Sequence, residues 1–151
     1  MHKALVVPKV LGLCQPPFRF ELYHYGPYAY SLDEQFLEME ALGQIQRLYP
    51  KPAYGPSYRL TTAGEYLLGQ LSPEDRTAIR RVAEQFGDAN SQHLELRATA
   101  IWVKEVEGLD EVEAIVARVS ELKPRYEEAR VREEVRRALK LAESLQQALS
   151  C

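Results

Sequence analysis

A chain of 151 residues that is 46% hydrophobic and 27% charged can bury a core, which excludes intrinsic disorder. The net charge is -3, with six Lys/Arg against six Asp/Glu in residues 1–70 and thirteen against sixteen in the remainder, so neither half carries a basic nucleic-acid footprint of the usual kind. The two cysteines, Cys14 and Cys151, lack CxxC spacing, which excludes a disulfide framework and a zinc knuckle, and neither a signal peptide nor a bilayer-length apolar run is present; the expected location is the cytoplasm.

In chain order, residues 3–13 (KALVVPKVLGL) predict a short helix, with Pro8 costing an interior hydrogen bond or bending it. Gln15-Pro16-Pro17 breaks the chain. Phe18, Phe20, Leu22 and His24 then alternate with Arg19, Glu21 and Tyr23, which predicts an extended segment closing at a Gly26-Pro27 turn. Ser31-Leu32-Asp33-Glu34 reads as a capping box that starts a helix from Leu32 to about Leu42, ended by Gly43. Leu32, Phe36, Leu37, Met39 and Leu42 are its expected buried stripe.

After Gly43 the period changes. Ile45, Arg47 and Tyr49 form one strand-like run and Ser57–Leu60 a second, around a loop rich in proline and glycine, the sequence shape of a wing. Thr62-Ala63-Gly64-Glu65 reads as a second capping box for a helix to about Leu71. Ser72-Pro73-Glu74-Asp75 combines a cap, a proline at the first helical position and two acids in the first turn, and predicts a helix to about Phe86. A loop at 88–91 precedes a helix from about Gln92 to Val106 with Leu94, Ala98, Ile101 and Trp102 inward, and Asp110–Glu113 repeats the capping chemistry for a further helix. After Pro124 the last helix places Val131, Val135, Ala138, Ala142, Leu145 and Leu149 in one seam. That seam is shorter than a coiled coil requires, and it suits packing within the chain or a dimer contact.

The expected fold is therefore mostly α (α+β), with a winged helix-turn-helix-like N-terminal half bearing a small two- or three-stranded wing, followed by a C-terminal helical bundle. The expected regions are 1–71 and 72–151, packed as one unit.

Residues Tyr25-Gly26-Pro27-Tyr28-Ala29-Tyr30-Ser31, Leu42-Gly43, Tyr58-Arg59-Leu60-Thr61 with Gly64, Leu94 to Ile101 and Lys123-Pro124, in that order along most of the chain, resemble the YwgA-type family of bacterial proteins. More distantly, the N-terminal half is similar to the Panacea antitoxin domain, which also places a YGP motif before a winged segment. The resemblance implies a winged-helix-like half with helices packed on it, and no particular biochemical activity. It also implies a helix ahead of the one at Lys3–Leu13, for which this sequence has no counterpart.

A winged helix normally inserts the helix preceding its wing into the major groove. Here that helix offers Asp33, Glu34, Glu38 and Glu40 and no cation, which repels phosphate. The candidate nucleic-acid contacts are instead Arg19, Arg47, Lys51 and Arg59, with tyrosines between them. Seven of the nine tyrosines lie from Tyr23 to Tyr58, and tyrosine is enriched at interaction hot spots, so Tyr25, Tyr28, Tyr30 and Tyr54 are the candidate partner-binding residues; a tyrosine-rich core is the competing reading.

Catalysis has little support. Ten residues across a Pro-Pro turn fix no geometry between Cys14 and His24, the histidines His2, His24 and His93 are too dispersed for a metal set, and the glycines form no phosphate-cradling loop. The cations Arg125, Arg130, Arg132, Arg136, Arg137 and Lys140 are interleaved with Glu127, Glu128, Glu133 and Glu134, as on a solvated helix face. The expectation is a non-catalytic regulatory or adaptor protein without metal, cofactor or small-molecule substrate. It binds a protein partner or a second copy of itself, and a DNA-binding regulator that contacts phosphate through the wing is the alternative.

Overall fold

A computed structural model of the protein describes residues 2–49, 56–86 and 89–149. In chain order the elements are α1 (His2–Val10), β1 (Glu21–Tyr23), β2 (Gly26–Tyr28), α2 (Tyr30–Ala41), β3 (Ile45–Leu48), β4 (Ser57–Leu60), α3 (Thr62–Leu68), α4 (Pro73–Phe86), α5 (Ser91–Glu105), α6 (Val112–Leu122) and α7 (Glu128–Leu149). The described residues are thus mostly helical, with two small antiparallel sheets, β1-β2 and β3-β4.

Two compact units emerge: Met1–Ala29 together with Glu74–Cys151, here the helical unit, and Tyr30–Pro73, here the inserted unit. The residues up to Ala29 thus group with the C-terminal helices.

The helical unit is built around α5. Glu95, Leu96, Ala98, Thr99, Ala100, Ile101 and Val103 are all buried, so apolar contacts are made on more than one face, as befits a central helix. Its neighbours are α1, β2, α6 and α7. The expected inward set was too narrow: Ala98 and Ile101 are buried, while Leu94 and Trp102 are only half-buried. Asn90 caps α5, its side-chain oxygen accepting from the Gln92 and His93 amides at 3.1 and 3.0 Å.

The seam on α7 is covered within the chain. Val131, Val135, Ala138, Ala142 and Leu145 are buried, and α7 packs on α5 and α6. The Leu149 side chain lies outside the described residues. Helix α6 starts at Glu111 without a side-chain cap, because its would-be capping acids are engaged elsewhere: Asp110 pairs with Lys104 at 3.0 Å and Glu113 with Arg132.

Near the N-terminus, α1 continues through Pro8 to Val10, with Val6, Val7 and Pro8 buried. The segment expected to run extended to a Gly26-Pro27 turn is a hairpin instead. Glu21 pairs with Tyr28 and Tyr23 with Gly26, so the turn is at His24-Tyr25 and the glycine and proline lie buried inside β2. Proline removes a ladder donor, which a two-stranded edge tolerates.

In the inserted unit, α2 begins at Tyr30, so Ser31 lies inside the first turn and is not the cap. The helix ends as expected at Gly43, whose φ of 67° lets the Gln44 amide reach back to the Met39 carbonyl at 2.8 Å and the Gly43 amide to Glu40 at 3.0 Å. The strands pair with Ile45 opposite Leu60 and Arg47 opposite Tyr58. The cap of α3 is Thr61, one residue before the expected Thr62. Its hydroxyl accepts from the Gly64 amide at 3.2 Å and lies within hydrogen-bond reach of the Gly43 and Gln44 carbonyls. Thr61 and Gly64 thereby clip the start of α3 to the end of α2.

Candidate functional site

The strand register decides how the β3-β4 hairpin can present charge. Arg47 faces Tyr58 and Arg59 faces Gln46, and because alternate residues point to opposite faces, the two arginines lie on opposite sides of the hairpin. Arg47 is engaged: it pairs with Glu40 at 2.8 Å, its guanidinium lies 5.7 Å from the Tyr58 ring centre, and Tyr58 stacks in turn on Phe36. Its pKa is raised first by the hydrogen bond to the Tyr49 hydroxyl. Arg59 is exposed on the other face, while Lys51 lies outside the described residues. Arg19 belongs to the helical unit. No basic stripe therefore joins Arg47 and Arg59.

The inserted unit holds five carboxylates, Asp33, Glu34, Glu38, Glu40 and Glu65, against three cations. It is also apolar on its outside. Of the twelve exposed large hydrophobic residues among the described ones, nine lie in it: Tyr30, Leu37, Leu42, Tyr49, Leu60, Tyr66, Leu67, Leu68 and Leu71. The expected α2 stripe is mostly absent from the core, since only Leu32 is buried, Phe36 and Met39 are half-buried, and Leu37 and Leu42 are exposed. A unit this small has too little interior to cover every apolar residue. Along α2, Glu34, Leu37 and Ala41 share one exposed face at helical spacing. On α3, Tyr66 is 71% exposed, and Gly64 is the buried residue of that helix.

The candidate tyrosines are spread over both units. Tyr30 opens α2 in the inserted unit, Tyr25 and Tyr28 sit on the β1-β2 hairpin of the helical unit, and Tyr54 lies outside the described residues. Tyr28 is stacked on His2 at 4.3 Å and serves the packing of α1 on the hairpin. Tyr25, 63% exposed, lies beneath Arg125, whose guanidinium is 4.8 Å from the ring centre.

Beneath that hairpin lies a buried charge cluster which the sequence did not announce. Glu95 on α5 and Lys123 at the end of α6 are each 2% exposed, with Lys123 Nζ 3.5 Å from Glu95 Oε1. Lys123 also donates to the Tyr23 and His24 carbonyls at 3.1 and 2.6 Å, and these are the carbonyls at the hairpin turn. Arg125 and the Tyr126 hydroxyl both reach Glu95 Oε2, the latter at 3.3 Å. Burial pushes the Lys123 ammonium below its ordinary value, with Glu95 pulling the other way. The cluster ties the hairpin to α5 and to the end of α6.

Arg19 is almost wholly exposed, 3.5 Å from Glu21, and stands at the rim of an apolar cavity of about 490 Å³ lined by Val10, Phe18, Phe20, Trp102 and Val106. That volume accommodates one large apolar side chain of a partner with room to spare.

Burial raises the Cys14 thiol above its ordinary value, and Asp75 adds to the shift. This is the reverse of an activated nucleophile. In a Cys151→Ser background, Cys14 is expected to react with iodoacetamide at pH 8 more slowly than free cysteine, gaining rate as the pH climbs further; a rate above that of free cysteine would contradict this. Among the described residues, no group of three or more His, Cys, Asp or Glu is placed to hold a metal ion, and no helix is long and apolar enough to cross a membrane.

No family model, curated protein or solved structure matches the chain. The functional reading accordingly rests on the surfaces themselves.

Proposed function

We propose that the protein is a non-catalytic adaptor or regulator that binds a protein partner through the inserted unit, on a scaffold of the winged-helix type that the YwgA-type resemblance implies. The observation that carries this reading is the concentration of exposed Leu and Tyr side chains on a unit whose own charge is negative. Contiguous exposed apolar surface marks interaction sites, and carboxylates beside it select a basic partner and repel phosphate. Leu37 and Tyr66 act as anchors, Asp33, Glu34 and Glu38 as the polar rim, and the partner presents apolar side chains flanked by Lys or Arg.

A DNA-binding regulator that uses the wing is the second reading. It is favoured by one observation: Arg59 is exposed and has no ionic partner among the described residues. The two readings separate in a salt titration against random-sequence duplex and single-stranded DNA. The adaptor reading expects no binding even at low salt. Binding that weakens steeply with salt, and weakens again in Arg59→Ala, would establish the DNA reading in its place.

A further inference from the structure

Of the five cations on α7, two are paired with carboxylates. Arg132 is paired with Glu113 and Glu128, Arg137 with Glu133, and Arg130 is bound to Gln92. A different grouping, which crosses helices, is neutralised only in part. Arg97 of α5, Arg137, Lys140, Leu141 and Ser144 of α7 and Gln85 of α4 line a cavity of about 340 Å³ within the helical unit.

Arg97 is the most enclosed cation of this cavity. Its side chain is only 14% exposed, yet among the described residues it makes a single ion pair, from Nε to Glu134 Oε2 at 2.6 Å. Its Nη groups make no hydrogen bond among the described residues. Glu134, itself buried, also lies 3.6 Å from Arg137 Nη1, so one carboxylate fixes the orientation of two guanidiniums while cancelling only one charge. Lys140 has no partner among the described residues. Counting Glu133 as well, three cations face two carboxylates, and the cavity keeps an excess of positive charge.

A guanidinium fork held by a buried carboxylate, with a mobile ammonium beside it, suits a phosphate group: arginine binds two oxygens in a fixed geometry and lysine adds a point charge. The cavity volume equals about eleven liquid-water volumes, enough for a small metabolite. No aromatic side chain lines it to stack on a base, whereas the Gln85 amide and the Ser144 hydroxyl suit hydroxyl groups.

We propose that this cavity between α4, α5 and α7 binds the phosphate ester of a small polyhydroxylated metabolite. Arg97 and Arg137 grip the phosphate, Lys140 closes over it, and Gln85 and Ser144 bond to the polar remainder. The site belongs to the helical unit and is independent of the partner surface proposed for the inserted unit.

Isothermal titration calorimetry of the whole protein with a hexose monophosphate, against chloride at matched ionic strength, tests this. Saturable binding at one site is expected, weakened about tenfold in Lys140→Ala, which removes one charge-assisted hydrogen bond and leaves the Arg97–Glu134 pair intact. Arg136→Ala, which deletes an exposed cation of the same helix outside the cavity, is expected to change nothing. Absence of saturable heat would overturn the proposal, as would equal losses in the two variants, since these would mean diffuse attraction. Inorganic phosphate binding as tightly as the hexose monophosphate would overturn the assignment of an ester.

Discussion

Replacing Lys123 by methionine is expected to destabilise the protein by about 3–5 kcal/mol, the range for breaking a buried ion pair from one side. Methionine fills similar volume, so the loss isolates the ammonium. Three groups lose an ammonium contact at once: Glu95 Oε1 and the carbonyls of Tyr23 and His24. Arg125 and Tyr126 still serve Glu95 Oε2, so the carboxylate keeps part of its compensation. The two carbonyls lose the ammonium that Lys123 donates to them, and the hairpin loses its tether to α6. Urea denaturation gives the size of the effect. In Lys123→Met with Glu95→Gln, the buried charge is gone as well, and part of the loss is expected to return, as coupled neighbours require. Equal stability of Lys123→Met and the parent, or strict additivity in the double variant, would contradict the role given to the cluster.

Gly64→Ala is the second large effect, and there two terms compete. Alanine is favoured over glycine within a helix by up to about 1 kcal/mol. Against that, a Cβ at this position would stand 2.1 Å from the Gln44 carbonyl oxygen and 2.9 Å from Leu60 Cδ2. The first contact is with backbone that is itself fixed by the Thr61 amide, which donates to the same oxygen at 3.1 Å. Relief requires α3 to move off the end of α2, and overpacking of this kind costs about 1–3 kcal/mol or more, so the clash wins. Because the damage is confined to the inserted unit, hydrogen exchange is the informative readout. The Thr61 and Glu65 amides are expected to lose protection, while those of α5 and α7 keep it. Unchanged protection at Thr61 would show that the close approach is not what holds α3 in place.

How far the sequence alone reached differs between the units for physical reasons. The positions of the helices were legible because α4, α6 and α7 carry stop signals, start signals or a stripe facing a single core: Ser72-Pro73 marks the start of α4, and Val131 to Leu145 face α5 and α6. Helix α5 misled because a central helix is buried on several sides, which blurs periodicity. The hairpin at 21–28 was misplaced because Gly26-Pro27 is a turn signal in most contexts, and only its burial beside α5 puts it in a strand. None of the three capping boxes caps as read: Ser31 lies inside α2, Thr61 caps α3, and Asp110 and Glu113 are held in ion pairs, choices that local sequence does not make.

The site was less legible still. That Arg47 and Arg59 face apart follows from the register, and could have been read once the two strands were aligned as Ile45 to Leu60. The exposure of Leu37 and Leu42 could not, because a stripe spacing says which residues share a face and not whether anything covers it. Arg97 gave no signal at all. Its partner Glu134 is far away in the chain, and the pair becomes visible only when α5 and α7 are packed together.

The proposal that the inserted unit binds a protein is tested most directly by placing a photo-crosslinking amino acid at Leu37, at Tyr66 and, as a control in the helical unit, at Arg136, and illuminating the protein in cells. The account predicts protein adducts at Leu37 and Tyr66 that are lost when Glu34 and Glu38 are both changed to lysine, and no such adducts at Arg136. Nucleic-acid adducts at Leu37 and Tyr66, or the same protein adducts at all three positions, would contradict it.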